Sequence, residues 1–484
     1  MKFIIRYGRE IMIKSTPVRK RFTKILYTNI ANSLKVLETK FKLHHSFDKI
    51  DLEIDDDFAS ETIEILKIVP GIELFSIVKT HEFKSLEDTK NIALDYYKDK
   101  IGGKSFVVRV KRTGSHIFGS LDAEKEIGGH LLHNSSNTKV SLKNPDIIVN
   151  IDIATDKFHL ITETLRGVGG YPVGVQERVV SLISGGFDSS VSSFLMAKRG
   201  VRVDFLFFNL GGITHEIGVK QISKYIHQSF SASYKAKFIS VNFEKLSYEI
   251  VTKIETKYRG VILKILMHKV AEMITQTNAY FGIVTGESIG QVSSQTLVNM
   301  SVIDSFTNAL ILRPLITFNK QEIIEIAKQI GTYNYSLSMP EYCGMISVNP
   351  TTEARLDKVV KEFEKIDISI INEAFQTRIT TDMRDIFSEE TNDSEIEKVR
   401  EISDEILIDI REEDKRLKNP LKLEKVEILN IPFYDINSRF TKLDQKKNYL
   451  FYCDKGVLSE LHALYLKEKG FNNIKIFRND KKTI

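Results

Sequence analysis

The sequence predicts a multidomain protein of mixed α/β and α+β class, organised around a central, doubly wound parallel sheet. Three observations predict it. An apolar, β-branched run, Val179-Val180-Ser181-Leu182-Ile183, ends in Ser184-Gly185-Gly186, and a helical pattern then begins with Val191, Phe194, Leu195 and Met196 on its apolar face. From there to about residue 345 strand-like and helix-like stretches alternate, the pattern of a parallel sheet covered on both faces. At 484 residues the chain is long enough for about three domains, and the glycines at 167, 169, 170 and 174 mark a boundary ahead of the central run.

Composition narrows the classes. Hydrophobic residues make up 42% and charged residues 27%, proportions of a soluble globular protein. The net charge is only +5, so any nucleic-acid surface has to be local. No apolar stretch approaches a membrane span, and the charges in the N-terminal Met1-Lys2-Phe3-Ile4-Ile5-Arg6 run do not fit a signal peptide. A cytoplasmic location is expected. The two cysteines, Cys343 and Cys453, are far apart, and in such a chain distant thiols are usually buried hydrophobes.

Residues 1–75 read as a small α+β unit: a strand over Lys2–Arg6, a long helix from Thr16 to Lys40 and a strand over Ile50–Ile54. Lys14, Arg19, Lys20, Arg21 and Lys24 crowd the entry to the helix, which a solvated face would also explain. Residues 76–170 form a second unit, with strands over Ser105–Val110, Val140–Leu142 and Ile147–Ile153 and a helix from Leu121. Lys104, Arg109, Lys111 and Arg112 supply positive charge without a neighbouring acid, as binding to RNA phosphates requires. The sequence Val110-Lys111-Arg112-Thr113-Gly114, then a helix, then Asn144-Pro145-Asp146-Ile147 resembles a THUMP domain, a module that grips the acceptor end of tRNA.

The central domain is expected over 175–345. Its opening strand, glycine turn and helix put free N–H groups and the positive helix end at one point, an anion site. No lysine follows the glycines, so this is not the Walker pattern. Ser184 and Ser189 add hydroxyls, and Asp188 is placed to hold magnesium or to position the reacting group. The Thr285–Leu297 stretch is a second polar loop after a core strand, and nucleotide binding is the favoured reading of it. Residues 350–400 read as a charged helical linker. Residues 402–484 read as a smaller α/β domain, with strands near 405–410, 426–429, 448–452 and 474–477 and a helix from Leu458 to Lys469. Asp409-Ile410-Arg411 and Tyr452-Cys453-Asp454-Lys455-Gly456 resemble a rhodanese domain, in which a cysteine ends a strand in a loop that opens onto a helix.

Taken together, Leu182-Ile183-Ser184-Gly185-Gly186-Phe187-Asp188-Ser189, Gly260-Val261-Ile262-Leu263-Lys264, Val284-Thr285-Gly286-Glu287, Gly290-Gln291-Val292-Ser293-Ser294-Gln295-Thr296-Leu297, Leu312-Arg313-Pro314-Leu315 and Met339-Pro340-Glu341-Tyr342-Cys343-Gly344 resemble the ThiI family of tRNA 4-uridine sulfurtransferases. The likeness runs over nearly the whole chain. It implies N-terminal ferredoxin-like and THUMP units, a PP-loop ATP pyrophosphatase domain of adenine nucleotide alpha hydrolase-like fold, and a C-terminal rhodanese domain. It places ATP contacts on Leu182, Ile183, Lys264, Gly286 and Gln295, beside the loop residues Ser184, Gly185, Gly186 and Ser189. ATP with magnesium is the expected cofactor, with no metal held by the protein itself.

The implied reaction makes 4-thiouridine at position eight of tRNA. The uridine carbonyl oxygen is adenylated, and sulfur from a persulfide on Cys453 displaces AMP, directly or as released sulfide. Cys343 then forms a disulfide with Cys453. The implied partners are tRNA, a cysteine desulfurase as sulfur donor, a reductant, the sulfur carrier protein ThiS of the thiamine thiazole route, and a second copy of the chain. Two other classes compete: an RNA-binding scaffold with a degenerate central domain, and an ATP-dependent amide ligase that has no need of Cys453 or a basic N-terminus.

Overall fold

In the computed structural model of the protein, residues 1–210, 212–231, 234–337, 339, 349–387, 396–411, 413–421, 423, 426–453 and 457–478 are described. The chain divides into two compact units, one of Met1–Val175 with Lys198–Gly200 and one of the remainder.

In the first unit eight strands share one sheet: β1 (Lys2–Tyr7), β2 (Phe41–His45), β3 (Lys49–Ile54), β4 (Ile72–Glu82), β5 (Ser105–Arg112), β6 (Lys139–Val140), β7 (Ile147–Ile153) and β8 (Lys157–Arg166), ordered β2-β3-β1-β4-β8-β7-β5-β6. The first four follow the βαββαβ path of a ferredoxin-like unit. The two N-terminal segments are therefore joined by the antiparallel β4–β8 pair, from Leu74↔Arg166 to Glu82↔Lys157. The period-two pattern explains the layering. Phe3, Ile5 and Tyr7 of β1 point into one core with Leu26, Ile30 and Leu34 of the Thr16–Leu34 helix. That helix stops before Lys40, because Lys35–Leu37 tighten into a 3₁₀ turn and Glu38 takes a left-handed φ of 50°. β2 begins just beyond, at Phe41.

In the second unit the central sheet is β9 (Arg178–Leu182), β10 (Arg202–Asn209), β11 (Lys237–Asn242), β12 (Ile283–Val284), β13 (Ile311–Leu312) and β14 (Ile379–Asp382), ordered β13-β12-β9-β10-β11-β14. All pair in parallel except β14, which runs antiparallel to β11. The supposed linker thus supplies the Leu356–Phe363 and Ile368–Gln376 helices and an edge strand to the central domain. It does so because Ile371, Ala374 and Phe375 bury with the Arg259–Asn278 helix in one apolar cluster. Strand order reverses between β9 and β12, so the loops that follow these two strands meet at the crevice where doubly wound sheets bind ligands.

A third, all-parallel sheet holds β15 (Lys398–Val399), β16 (Ile406–Asp409), β17 (Ile428–Asn430), β18 (Tyr449–Tyr452) and β19 (Ile474–Phe477), ordered β15-β19-β18-β16-β17. Its Val457–Glu468 helix packs on the Gly212–Phe230 helix of the central domain. The rings of Tyr225, Tyr335 and Phe433 stand in sequence across this junction at 5.1 and 5.5 Å.

Candidate active site

The turn after β9 is held by its own side chains. Ser184 N–H donates to Ser189 Oγ at 3.2 Å, and that hydroxyl donates to the Gly186 carbonyl at 3.1 Å. Gly185 has φ +85°, a conformation a residue with Cβ adopts only at a cost, and a Cβ there would meet Met339 Cγ at 2.9 Å. The Ser184 carbonyl accepts from His215 Nε2 at 3.1 Å, so that ring nitrogen carries the proton. Burial holds His215 below the usual histidine range, which keeps it in this neutral form. Gly286, arriving from β12, lies against the first turn of the Phe187–Lys198 helix. A Cβ on it would stand 2.7 Å from the Asp188 carbonyl carbon and 2.9 Å from Ser189 nitrogen. Ser189, expected to touch nucleotide, thus spends its hydroxyl bracing the turn. Leu182 ends β9, and the Ile183 N–H is used on the Leu206 carbonyl.

The charges around this turn are paired in advance. Lys320 Nζ reaches both Asp188 carboxylate oxygens at 3.0 and 3.1 Å, and Gln291 Nε2 donates to one of them at 2.9 Å. Beside Gly286, buried Glu287 takes Lys264 Nζ at 2.5 Å, Arg313 Nε at 2.7 Å and the Thr285 hydroxyl at 3.1 Å. Arg313 also forks onto Asp304 at 2.9 and 2.6 Å. Burial would raise the Glu287 carboxyl, but Lys264 and Arg313 outweigh it and hold it at about 2. Gln295, nearly buried, accepts the Ser288 N–H and, through its carbonyl, that of Gly290. Among the described residues no group of three or more His, Cys, Asp or Glu side chains forms a metal site.

Cys453 follows β18 directly and is a buried free thiol, with 6% of its surface exposed. The strand delivers the side chain into the apolar cluster of Ile408, Phe451 and Ala463. Ser459 N–H, in the first turn of the following helix, donates to its Sγ at 3.4 Å. Next to it, the buried Arg411–Asp409 pair (2.7 Å) lies over the Tyr452 ring. Cys343 lies outside the described residues.

Four family profiles match the chain: the ThiI ferredoxin-like domain over 2–76, the THUMP domain over 83–163, "Thiamine biosynthesis protein (ThiI)" over 174–368 and the rhodanese-like domain over 393–480. A tRNA sulfurtransferase of Haemophilus influenzae is 46% identical across 99% of both chains. Another, of Shewanella piezotolerans, is 45% identical across 99% of this chain and all of that one. The chain belongs to the ThiI family of tRNA sulfurtransferases. A solved 4-thiouridine synthetase in complex with RNA and bound ATP superimposes with TM-score 0.69 at 28% identity, covering 79% of this chain and 99% of that one. The expected ferredoxin-like, THUMP, parallel-sheet and rhodanese architecture is borne out.

Of the basic residues read from this ThiI chain's THUMP segment, the fold unites some and separates others. Arg109 and Lys111, two apart on β5, line a cleft of about 380 Å³ with Arg6, Ser76, Asn150, Asp152 and Thr164. Each cation there has an acid nearby: Arg6–Asp152 at 2.5 Å, Arg109–Glu124 at 3.6 Å and Lys111–Asp48 at 2.7 Å. Lys104 and Arg112 do not line it. Sequence reasoning missed His215, Gln291, Arg313 and Lys320 as site residues. Gln291 and Arg313 stood inside quoted motifs. Nothing local marks His215 or Lys320, which reach the turn only through folding.

Proposed function

We propose that this chain is an ATP-dependent sulfurtransferase that converts uridine at position eight of tRNA to 4-thiouridine. The observation that carries the reading is the glycine turn closed by Gly286 at the sheet's switch point, with Asp188 presented beside it. An N-terminal helix end beside glycines suits a triphosphate. The uracil O4 attacks the α-phosphorus, pyrophosphate leaves, and the N3 proton of the base passes to solvent. His215 and Ser189 hold the turn in shape through this step, and the Lys264 cation, held by Glu287, offsets charge on the phosphates as it develops.

The sulfur arm is part of the same proposal. A desulfurase converts the Cys453 thiol to a persulfide. Its outer sulfur attacks C4 and AMP leaves. Cys343 then attacks the Cys453 sulfur, closing a disulfide and releasing the thiolated base; a dithiol reductant reopens the pair. In the other order, Cys343 frees hydrosulfide that displaces AMP. Arg109, Lys111 and the cleft around them hold the RNA. The family's thiamine description supports a second role, sulfur transfer to the carrier protein ThiS.

The test uses the full-length protein with tRNA, ATP, cysteine and a desulfurase, reading AMP and 4-thiouridine by mass spectrometry. Cys453→Ser should abolish thiolation and keep tRNA-stimulated AMP release. Loss of both would end the division of labour, and wild-type protein that forms no AMP would end the adenylation reading.

A further inference from the structure

We propose that Arg313 is a positioning residue for ATP: it shares the Glu287 carboxylate with Lys264 and so leaves the Lys264 ammonium charge available to the nucleotide phosphates. The inference rests on the adenylation reading above and goes beyond it by naming what sets the grip of the site on its nucleotide.

Folding brings the three side chains together from three elements. Glu287 follows β12 and Arg313 follows β13, and these strands pair in parallel, so both residues stand beyond carboxyl ends one strand apart. The Thr285 N–H donates to the Leu312 carbonyl and ties the two loops together. Lys264 comes from the Arg259–Asn278 helix. The carboxylate oxygens are divided between them. Oε1 takes Lys264 Nζ at 2.5 Å, while Oε2 takes Arg313 Nε at 2.7 Å and the Thr285 hydroxyl at 3.1 Å. Lys264 has no other hydrogen-bond partner among the described residues, and its side chain is 21% exposed against 5% for Glu287. An ammonium carries three donors, so most of its hydrogen-bonding capacity is left for a ligand.

A carboxylate paired with one cation cancels it, as Asp188 and Lys320 do for each other. Around Glu287 two cations meet one carboxylate. A net positive charge therefore remains next to Gly286, whose position lies against the backbone of Asp188 and Ser189. The second acid of the network is kept on the outer side. Arg313 Nη1 and Nη2 fork onto Asp304 at 2.9 and 2.6 Å, and Asp304 is 37% exposed, so water screens it far more than it screens Glu287. The planar guanidinium makes this division possible, with Nε on one acid and the Nη edge on another; a lysine offers a single point charge. Without Arg313 the buried carboxylate would draw on Lys264 alone, and the pair would hold no surplus charge for a polyanion.

The test titrates full-length protein with the α,β-methylene analogue of ATP by calorimetry. Arg313→Met should weaken binding about tenfold. Combining it with Glu287→Gln removes the carboxylate charge as well, and binding should return to within about threefold of wild type. A role in packing alone predicts a further loss in that double variant, and such a loss overturns the proposal. In a Lys264→Met background Arg313→Met should add less than about twofold. A second full loss there would mean that the guanidinium meets the phosphates itself, and the positioning role falls. Asp304→Asn keeps the arginine and serves if Arg313→Met does not fold. Binding should then tighten about threefold, because more of the guanidinium charge falls on Glu287; weaker binding overturns the proposal. Wild-type protein that fails to bind the analogue ends the adenylation reading and this inference together. Normal AMP formation with unchanged binding in Arg313→Met ends this inference alone.

Discussion

Both the Ser184 turn and Cys453 sit at the carboxyl end of a parallel strand, ahead of a helix. Their surroundings differ. Around the turn the charged side chains are paired before any substrate arrives, Asp188 with Lys320 and Glu287 with Lys264 and Arg313. Around Cys453 the sulfur lies in hydrocarbon with one backbone N–H on it, and the nearby Arg411 charge is spent on Asp409. The first suits a polyanion, whose charges need fixed partners at set points. The second keeps a soft sulfur atom away from solvent among apolar neighbours. The same strand–turn–helix plan thus carries two different surroundings, decided by which neighbours the fold brings in.

The comparison can be broken at its strongest point first. Arg411→Ala leaves buried Asp409 without its cation and should destabilise the C-terminal domain by about 3–5 kcal/mol. Differential scanning calorimetry should show that domain melting early while tRNA-stimulated AMP release survives at low temperature. If AMP release fails equally, the two sites are not independent.

Glu287→Gln comes next, at about 3 kcal/mol, because Lys264 and Arg313 lose the charge they share. The carboxyl titrates near 2 in the fold against a reference of 4.5, so its stabilisation is whole above about pH 4.5 and disappears as pH falls toward 2. Thermal melts across that window should converge for wild type and variant at the acid end and separate above it. Parallel curves would show that Glu287 is not the anchor described.

Gly286→Ala should cost AMP formation about 100-fold, since its methyl presses on the Asp188 backbone and shifts the turn by a fraction of an ångström. Persulfide loading of Cys453 should be unaffected; a parallel loss would erase the contrast. The smallest effect is expected of His215→Phe, which removes one hydrogen bond to the Ser184 carbonyl. About 1 kcal/mol, or roughly fivefold in KM for ATP, follows from that bond, and isotope exchange between ATP and pyrophosphate would measure it.

Much of the architecture was legible because periodicity is local. The Ser184 turn, the Ile147–Ile153 strand and the Cys453 loop could each be read from a dozen neighbouring residues. What failed were features set at a distance. Ile379–Asp382, although β-branched at its first three positions, is too short to stand as a strand alone and becomes β14 by pairing with the edge of β11. The Thr16 helix was read too long because Lys35–Leu37 suit a helix and a 3₁₀ turn equally well. The polar residues after Cys453 say nothing of its burial, which follows from the strand before it pointing the side chain inward.

By itself the sequence determined the order of the parts: two basic α+β segments, a glycine turn at the head of a parallel sheet, and a cysteine at the end of a late strand. Hydrophobic period, turn residues and chain length carry that much, since each depends only on near neighbours. Only the tertiary structure decided that β4 and β8 fuse the first two segments, and that Gly286 closes on Asp188. It also decided that Lys320 and Gln291 divide the Asp188 carboxylate between them. These contacts join residues about a hundred positions apart, and no local propensity encodes such a meeting; the packing of the whole sheet brings it about.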